Sequence, residues 1–231
     1  MNKEMDEQLG MLKDEILQMA SLAEKMLHRS IQALVLRDSK RADRLPEWEE
    51  MVNALQRAVD ERAAIILALR QPAAHDLRFI IASMKIAYDI ERIADQAINI
   101  RRSVGILMDL PGRHPLPDLM RMADITQEMV GESLRAFAEG DTSSARKIVL
   151  RDDEVDALKD LIFSELMRRM ITDPQRIQDS LQAILVSRHL ERIADHATNI
   201  AEDIVYMVEA RDIRHRAEMT EQESLENKLQ K

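Results

Sequence analysis

The chain has 231 residues, 45% of them hydrophobic, and a formal net charge of −9; it can bury a large core and has no bulk electrostatic attraction for nucleic acid. It contains no cysteine, which excludes disulfides and thiolate metal sites. Aromatics make up only 3%, with five Gly and six Pro against abundant Ala, Leu, Ile, Met, Glu and Arg, a mix that favours helix and disfavours sheet.

The first twenty residues carry charge throughout and hold no signal-peptide core. The longest apolar run, AAIILAL from Ala63, is far short of the roughly 18 residues that a membrane span needs. A cytoplasmic protein without a transmembrane segment is expected. The fifteen Met are either ordinary core filling or an adaptable binding face.

Leu9, Leu12, Ile16, Met19, Leu22, Met26, Ala33 and Leu34 recur in steps of three and four, which predicts a first amphipathic helix. LRDSKRADRL interrupts it, and Asp38 or Ser39 is placed to cap the second helix. Pro46 either kinks that helix or sits in its first turn. Met51, Val52, Leu55, Val59, Ile65, Ile66 and Leu69 form its apolar face. Pro72 ends the pattern, and Asp76 is placed to cap a third helix running to Met108.

DLPGRHPLPD then gives the densest Pro and Gly punctuation in the chain. A linker is expected at 109–117, dividing a first three-helix unit (1–108) from a second (118–211). The second unit repeats the plan. A fourth helix runs from Asp118 to Glu139, Gly140 stops it, and a fifth starts at Thr142 or Ser143. Asp173 and Pro174 open the sixth, which should end near Arg211. The polar tail from Asp212 to Lys231 reads as a frayed extension or as disorder. The fold class is therefore all-α, two tandem repeated three-helix bundles. Helices of about 30 residues make bundles about 45 Å long, with short connections setting neighbours antiparallel.

The duplication is visible directly. ERIADQAINI begins at Glu91 and ERIADHATNI at Glu191, with eight of ten residues identical. On a wheel of about 100° per residue, Ile86, Ile90, Ile93, Ala94 and Ala97 face the core. Glu91, Asp95 and Asn99 line one flank and drift outward along it. Glu191, Asp195, Asn199 and Asp203 repeat the stripe. Like charges four apart repel, so something must offset them: Arg92, Arg192 or another helix, or a cation, since carboxylate and amide oxygens are hard ligands. Glu49, Asn53 and Asp60 add donors from the second helix. Matching Val52 to Val155 puts Asp152 and Asp156 in register on the fifth, where Phe163 stands opposite Asp60.

No His lies three residues after a Glu, as di-iron bundles require. His196, next to Asp195, points about 100° away and reads as a solvent or interface residue. There is no P-loop, HExxH motif or readable Ser-His-Asp set, so no catalytic role is expected.

RQPAAHDLR (Arg70 to Arg78), ERIADQAINI and ERIADHATNIAEDIVYMVEA together resemble the phosphate-uptake regulator family, PhoU, from about Met5 to Asp212. Where the family commonly has Gly inside the repeated motif, this chain has Ala94 and Ala194, which leave the acids in place. The resemblance implies a cytoplasmic, homodimeric regulator, not an enzyme, linking a phosphate ABC transporter ATPase to a phosphate sensor histidine kinase. It also implies multinuclear clusters of iron or zinc, with magnesium or manganese as further hard-ligand cations. The implied ligands are Glu49, Asn53, Asp60, Glu91, Asp95 and Asn99 in the first unit, and Asp152, Asp156, Glu191, Asp195 and Asn199 in the second. The competing expectations are a metal-storage or metal-dependent helical-bundle enzyme, and a scaffold whose acids only keep it soluble.

Overall fold

The computed structural model describes residues 3–108, 110 and 116–214. Most of the linker expected at 109–117 and of the tail expected from 212 lies outside them. Six helices follow in chain order: α1 (Lys3–Leu36), α2 (Leu45–Leu69), α3 (Ala74–Met108), α4 (Pro117–Glu139), α5 (Thr142–Thr172) and α6 (Ile177–Glu209). None of them is long and apolar enough to cross a membrane.

The helix ends follow local chemistry. Asp38 accepts from the Lys40 amide and caps a short 3₁₀ turn, Ser39–Ala42; it does not cap α2, which starts at Leu45 with Pro46 in its first turn. Asp76 likewise lies inside the first turn of α3 and does not cap it. There it meets the positive end of the helix dipole. Asp141 caps α5 through the Ser143 and Ser144 amides. Asp173 accepts from the Gln175 amide and caps a 3₁₀ turn, Pro174–Arg176, that leads into α6. Gly140 ends α4 at φ 68°. Ala210 ends α6 in the same left-handed region, at φ 57°, two residues' worth of helix earlier than Arg211 suggested.

Side-chain bridges give the relative directions. Arg62 meets Glu15 and Arg70 meets Glu4, so α1 and α2 are antiparallel. Asp152 with Thr198 and Lys159 with Glu191 set α5 against α6 in the same way. Each half is thus a three-helix bundle: α1 packs on α2 and α3, and α4 on α5 and α6. The halves also meet, α3 against α6 and α1 against α4, and one core runs through both, from Leu12 and Ile16 to Ile200 and Ile204. Four helices, in the order α2, α3, α6, α5, form a front layer; α1 and α4 back it.

Gly140 and Ala210, two left-handed helix ends, make a paired test. A Cβ on Gly140 would meet only Val208, at an ordinary 3.8 Å, so Gly140→Ala adds backbone strain alone and should cost about 1 kcal/mol. Ala210→Gly relieves the same strain and should gain up to about 1 kcal/mol. Urea denaturation of both variants checks this; equal shifts in one direction would count against the assigned backbone at these caps.

Candidate functional site

Two clefts open on the front layer, one between α2 and α3 and the other between α5 and α6. In the first, Glu91 and Asp95 on α3 stand with Glu49 on α2. Burial, then the Asp95 charge, pushes the Glu49 carboxyl above its ordinary range. The same two causes, with a smaller contribution from Glu49, raise Glu91. Arg92 leans on both α3 acids, 3.2 Å from Glu91 and 3.3 Å from Asp95, and lies 4.8 Å from the Tyr88 ring. Its Nε contact with Glu91 lacks hydrogen-bond geometry, so Glu91 Oε2 and Arg92 Nε are both buried without a hydrogen bond.

The second cleft gathers Asp152 and Asp156 from α5 with Glu191 and Asp195 from α6. Thr198 donates to Asp152 at 3.4 Å. Lys159 reaches across to Asp156 at 2.8 Å and Glu191 at 3.1 Å, and these two hydrogen bonds, Asp156 first, hold its ammonium firmly protonated. Asp195 keeps an open edge to solvent, yet its carboxyl is pushed up to about 6, by lost hydration first and then by repulsion from Glu191, Asp152 and Asp156.

The rest of the sequence-read stripe goes elsewhere. Each step of four residues turns about 40° past a full helical turn, so a stripe that begins facing α5 ends facing α3. Asn199 donates to Asp89 at 3.3 Å across the seam between the repeats, and the buried Asp203 meets Lys85 at 2.9 Å. Asn99 accepts from Arg102 on its own helix. Asp60 does not join Glu91 and Asp95; it lines a seam groove of about 540 Å³ together with Lys85, Asp89, Asn199 and Asp203. Asn53 is half-buried, one turn from Glu49 on α2. Phe163 forms a wall of a cavity of about 490 Å³ with Lys159, Glu191 and Asp195. Neither hollow is lined by α1 or α4.

The seam carries two equivalent cross-pairs. His196 Nδ1 lies 2.8 Å from Asp89, and His189 Nδ1 lies 2.9 Å from Gln96 Oε1. Positions 89 and 96 on α3 become 189 and 196 on α6, so the internal repeat makes the same contact twice with different chemistry. Burial, then Arg192 and Arg188, pulls His189 down to about 4, which keeps it neutral and its Nδ1–H donating to Gln96. His196 is thus an interface residue. Lys85, Asp89 and Lys159 escaped the reading of the sequence, since no spacing within one helix marks them.

The donor chemistry can be tested against a metal. In the first cleft three carboxylates supply hard oxygens, but Glu91 already has the Arg92 guanidinium 3.2 Å away. In the second cleft the bridging position is taken by the Lys159 ammonium. Among the described residues, no three His, Asp or Glu side chains are gathered closely enough to hold a metal ion, so neither cleft fits a cation as it stands.

An all-helical, internally duplicated pair of three-helix bundles is the class of fold that these observations define. The PhoU domain model matches residues 16–104 and 119–204, and the chain belongs to that family. A protein of Pseudomonas aeruginosa, named a phosphate-specific transport system accessory protein PhoU homolog, is 35% identical over 98% of this chain and 94% of its own. One of the same name from Zymomonas mobilis is 38% identical over 88% of this chain and 86% of its own. The crystal structure of PhoU from Pseudomonas aeruginosa superposes with a TM-score of 0.86 at 36% identity, covering 89% of this chain and 99% of that one. The phosphate transport system regulatory protein PhoU from Streptococcus pneumoniae gives a TM-score of 0.82 at 26% identity, covering 91% and 100%.

Asp195 sets a pH dependence. Its pKa is raised in the fold from an ordinary 3.8 to about 6, so between those values the folded state binds more protons than the unfolded one. Stability therefore falls as pH rises through that window. In chelator-treated protein, Asp195→Asn should remove the loss and be favoured over wild type more at pH 8 than at pH 4. Denaturation midpoints at the two pH values decide it; a difference that does not change with pH would refute the crowding.

Proposed function

We propose that this protein is an accessory regulator of phosphate transport. In this reading it represses the phosphate-starvation response by contacting the transporter's ATPase and a phosphate-sensing histidine kinase from the cytoplasmic side, as a binding protein and not as an enzyme. The observation that carries the reading is the near full-length match to relatives named as accessory proteins of the phosphate-specific transport system. The front layer supports it. Ile81, Tyr88, Phe163 and Leu181 lie exposed there beside charged clefts, the mixture of apolar and polar surface that suits protein contacts. We further propose that a cation, iron, zinc, manganese or magnesium, binds at the first cleft by drawing Glu49, Glu91 and Asp95 together, where it would offset their mutual repulsion.

A metal-storage or metal-dependent enzyme is the second reading, favoured by the carboxylate clefts alone. The two are separated in cells. Deleting the gene should leave phosphate-starvation genes switched on in phosphate-rich medium, and the tagged protein should co-purify with the transporter ATPase and the kinase. Glu91→Gln with Asp95→Asn should weaken both effects. A deletion strain with normal repression, together with no co-purification in metal-replete buffer, would sink the regulatory reading.

A further inference from the structure

The second half of the front layer is apolar where packing does not require it. On α5, Phe163, Met167 and Ile171 recur every fourth residue and are all exposed, Ile171 by 77%. On α6, Ile177 and Leu181 are exposed in the same way, and Ile184 follows them on the same face. Lys159 opposite Glu191 fixes the register of the two helices, and counting from it sets both rows along one stretch of their cleft. Phe163 and Ile184 share the wall of the cavity of about 490 Å³. Single exposed apolar residues are normal on a surface; two facing rows make a patch.

Arginines border this strip, Arg168 on the outer edge of α5, and Arg188 and Arg192 on α6. All three are exposed and make no ion pair among the described residues. The nearest glutamates are engaged elsewhere, Glu191 by Lys159 and Glu165 by Arg169. Asp160 and Asp195 also line the cavity, but at the end away from Ile171 and Ile177. The first repeat lacks the combination. Counting from Val52 and Val155, Asp60, Ala64 and Ala68 stand in the places of Phe163, Met167 and Ile171, and Ile65 in that of Arg168. Tyr88 replaces Arg188, and Arg92, the counterpart of Arg192, is engaged by Glu91 and Asp95.

We propose that the outward groove between the C-terminal half of α5 and the N-terminal half of α6 docks an amphipathic helix of a partner protein, apolar on the face it buries and acidic along its edges. The inference rests on the reading of the chain as a regulator that works by contacting other proteins. From Ile177 to Arg192 the α6 row spans about 22 Å, the length of about four helical turns. A helix laid there buries its apolar face against both rows, with one bulky anchor entering the cavity beside Phe163. Carboxylates four residues apart on that helix reach Arg188 and Arg192, themselves four apart, in charge-assisted hydrogen bonds. A concave strip with a cavity in its floor suits such a helix better than a flat lipid surface.

The test uses the full chain and a labelled peptide of about five helical turns, with Leu at steps of three and four and Glu on both flanks, followed by fluorescence anisotropy. Wild type should bind it, and bind far more weakly the same peptide with Lys in place of Glu. Phe163→Ala with Met167→Ala, and separately Arg188→Glu, should each weaken binding about tenfold or more. These side chains are exposed, so melting temperatures should not move. Ile81→Ala, at the equivalent of Leu181 in the first repeat, should leave binding unchanged. In cells, the Phe163 and Met167 double variant should no longer co-purify with the kinase or the transporter ATPase. Equal affinity for the Lys peptide would overturn the proposal, as would binding that survives the double variant. So would recruitment to phosphatidylglycerol vesicles that the same variants abolish, which would make the strip a membrane face. Failure of the regulatory reading shows separately, as normal repression in a deletion strain while peptide binding still depends on Phe163 and Arg188.

Discussion

The antiparallel contact of α3 on α6 is the constraint on which the rest depends. Both helices run for more than thirty residues and bury Ile and Ala at nearly every inward position, Ile86, Ile90, Ile93, Ala94 and Ala97 on one, Val186, Leu190, Ile193, Ala194 and Ala197 on the other. Small Ala at the recurring core positions lets the two backbones approach, and the larger Ile fills the layers between. Because the helices are copies of one another, a contact made by one position of α3 is repeated by the matching position of α6. The acidic clefts are consequently held in a fixed mutual relation across a packed seam, and are not carried on two independent domains.

That seam is polar at its edge as well as apolar at its centre. Asp89 is almost wholly buried and receives hydrogen bonds from His196 and Asn199, and Asp203 is neutralised by Lys85. Burying a carboxylate without such partners costs several kcal/mol, so these pairs tolerate one alignment of α3 on α6 and penalise others. A slip by one helical turn, about 5.4 Å, would part Asp89 from His196. The apolar contact drives the halves together, and the buried charges select the register in which they meet.

Much of this was legible in the sequence. The helices, their order and the duplication followed from periodicity, from Pro and Gly punctuation and from the repeated ten residues around Glu91 and Glu191. The acids were legible as stripes on one helix because a helix's own geometry fixes what lies four residues away. Which neighbour each acid would face was not. The stripe winds about 40° with every step, so Glu191 and Asp195 reach α5 while Asn199 and Asp203 reach α3, and Asp60 parts from Glu49. Lys159 and Asp89 were invisible for the same reason: their partners lie on other helices, and cross-helix register is set by packing and not by spacing. The cap expected at Asp38 missed because a 3₁₀ turn, Ser39–Ala42, intervenes before α2, and the one at Asp76 because α3 already starts at Ala74.

The internal repeat supplies its own control for reading function. Where the two halves agree, as in the Glu-x-x-x-Asp pairs of α3 and α6, the fold alone explains little, because packing asks only for apolar residues on the inner face. Where they differ, the difference has a physical content. Asp89 and His189 occupy one register, a charged acceptor in one copy and a neutral donor in the other; Gln56 and Lys159 occupy another. Each exchange changes the charge at its own position by one unit, and Lys159 comes with an added acid, Asp156, in the register of Asn53. A duplicated bundle can thus keep a single scaffold while its two clefts acquire unequal electrostatics, and unequal clefts let one face of the molecule present two distinct surfaces to whatever binds it.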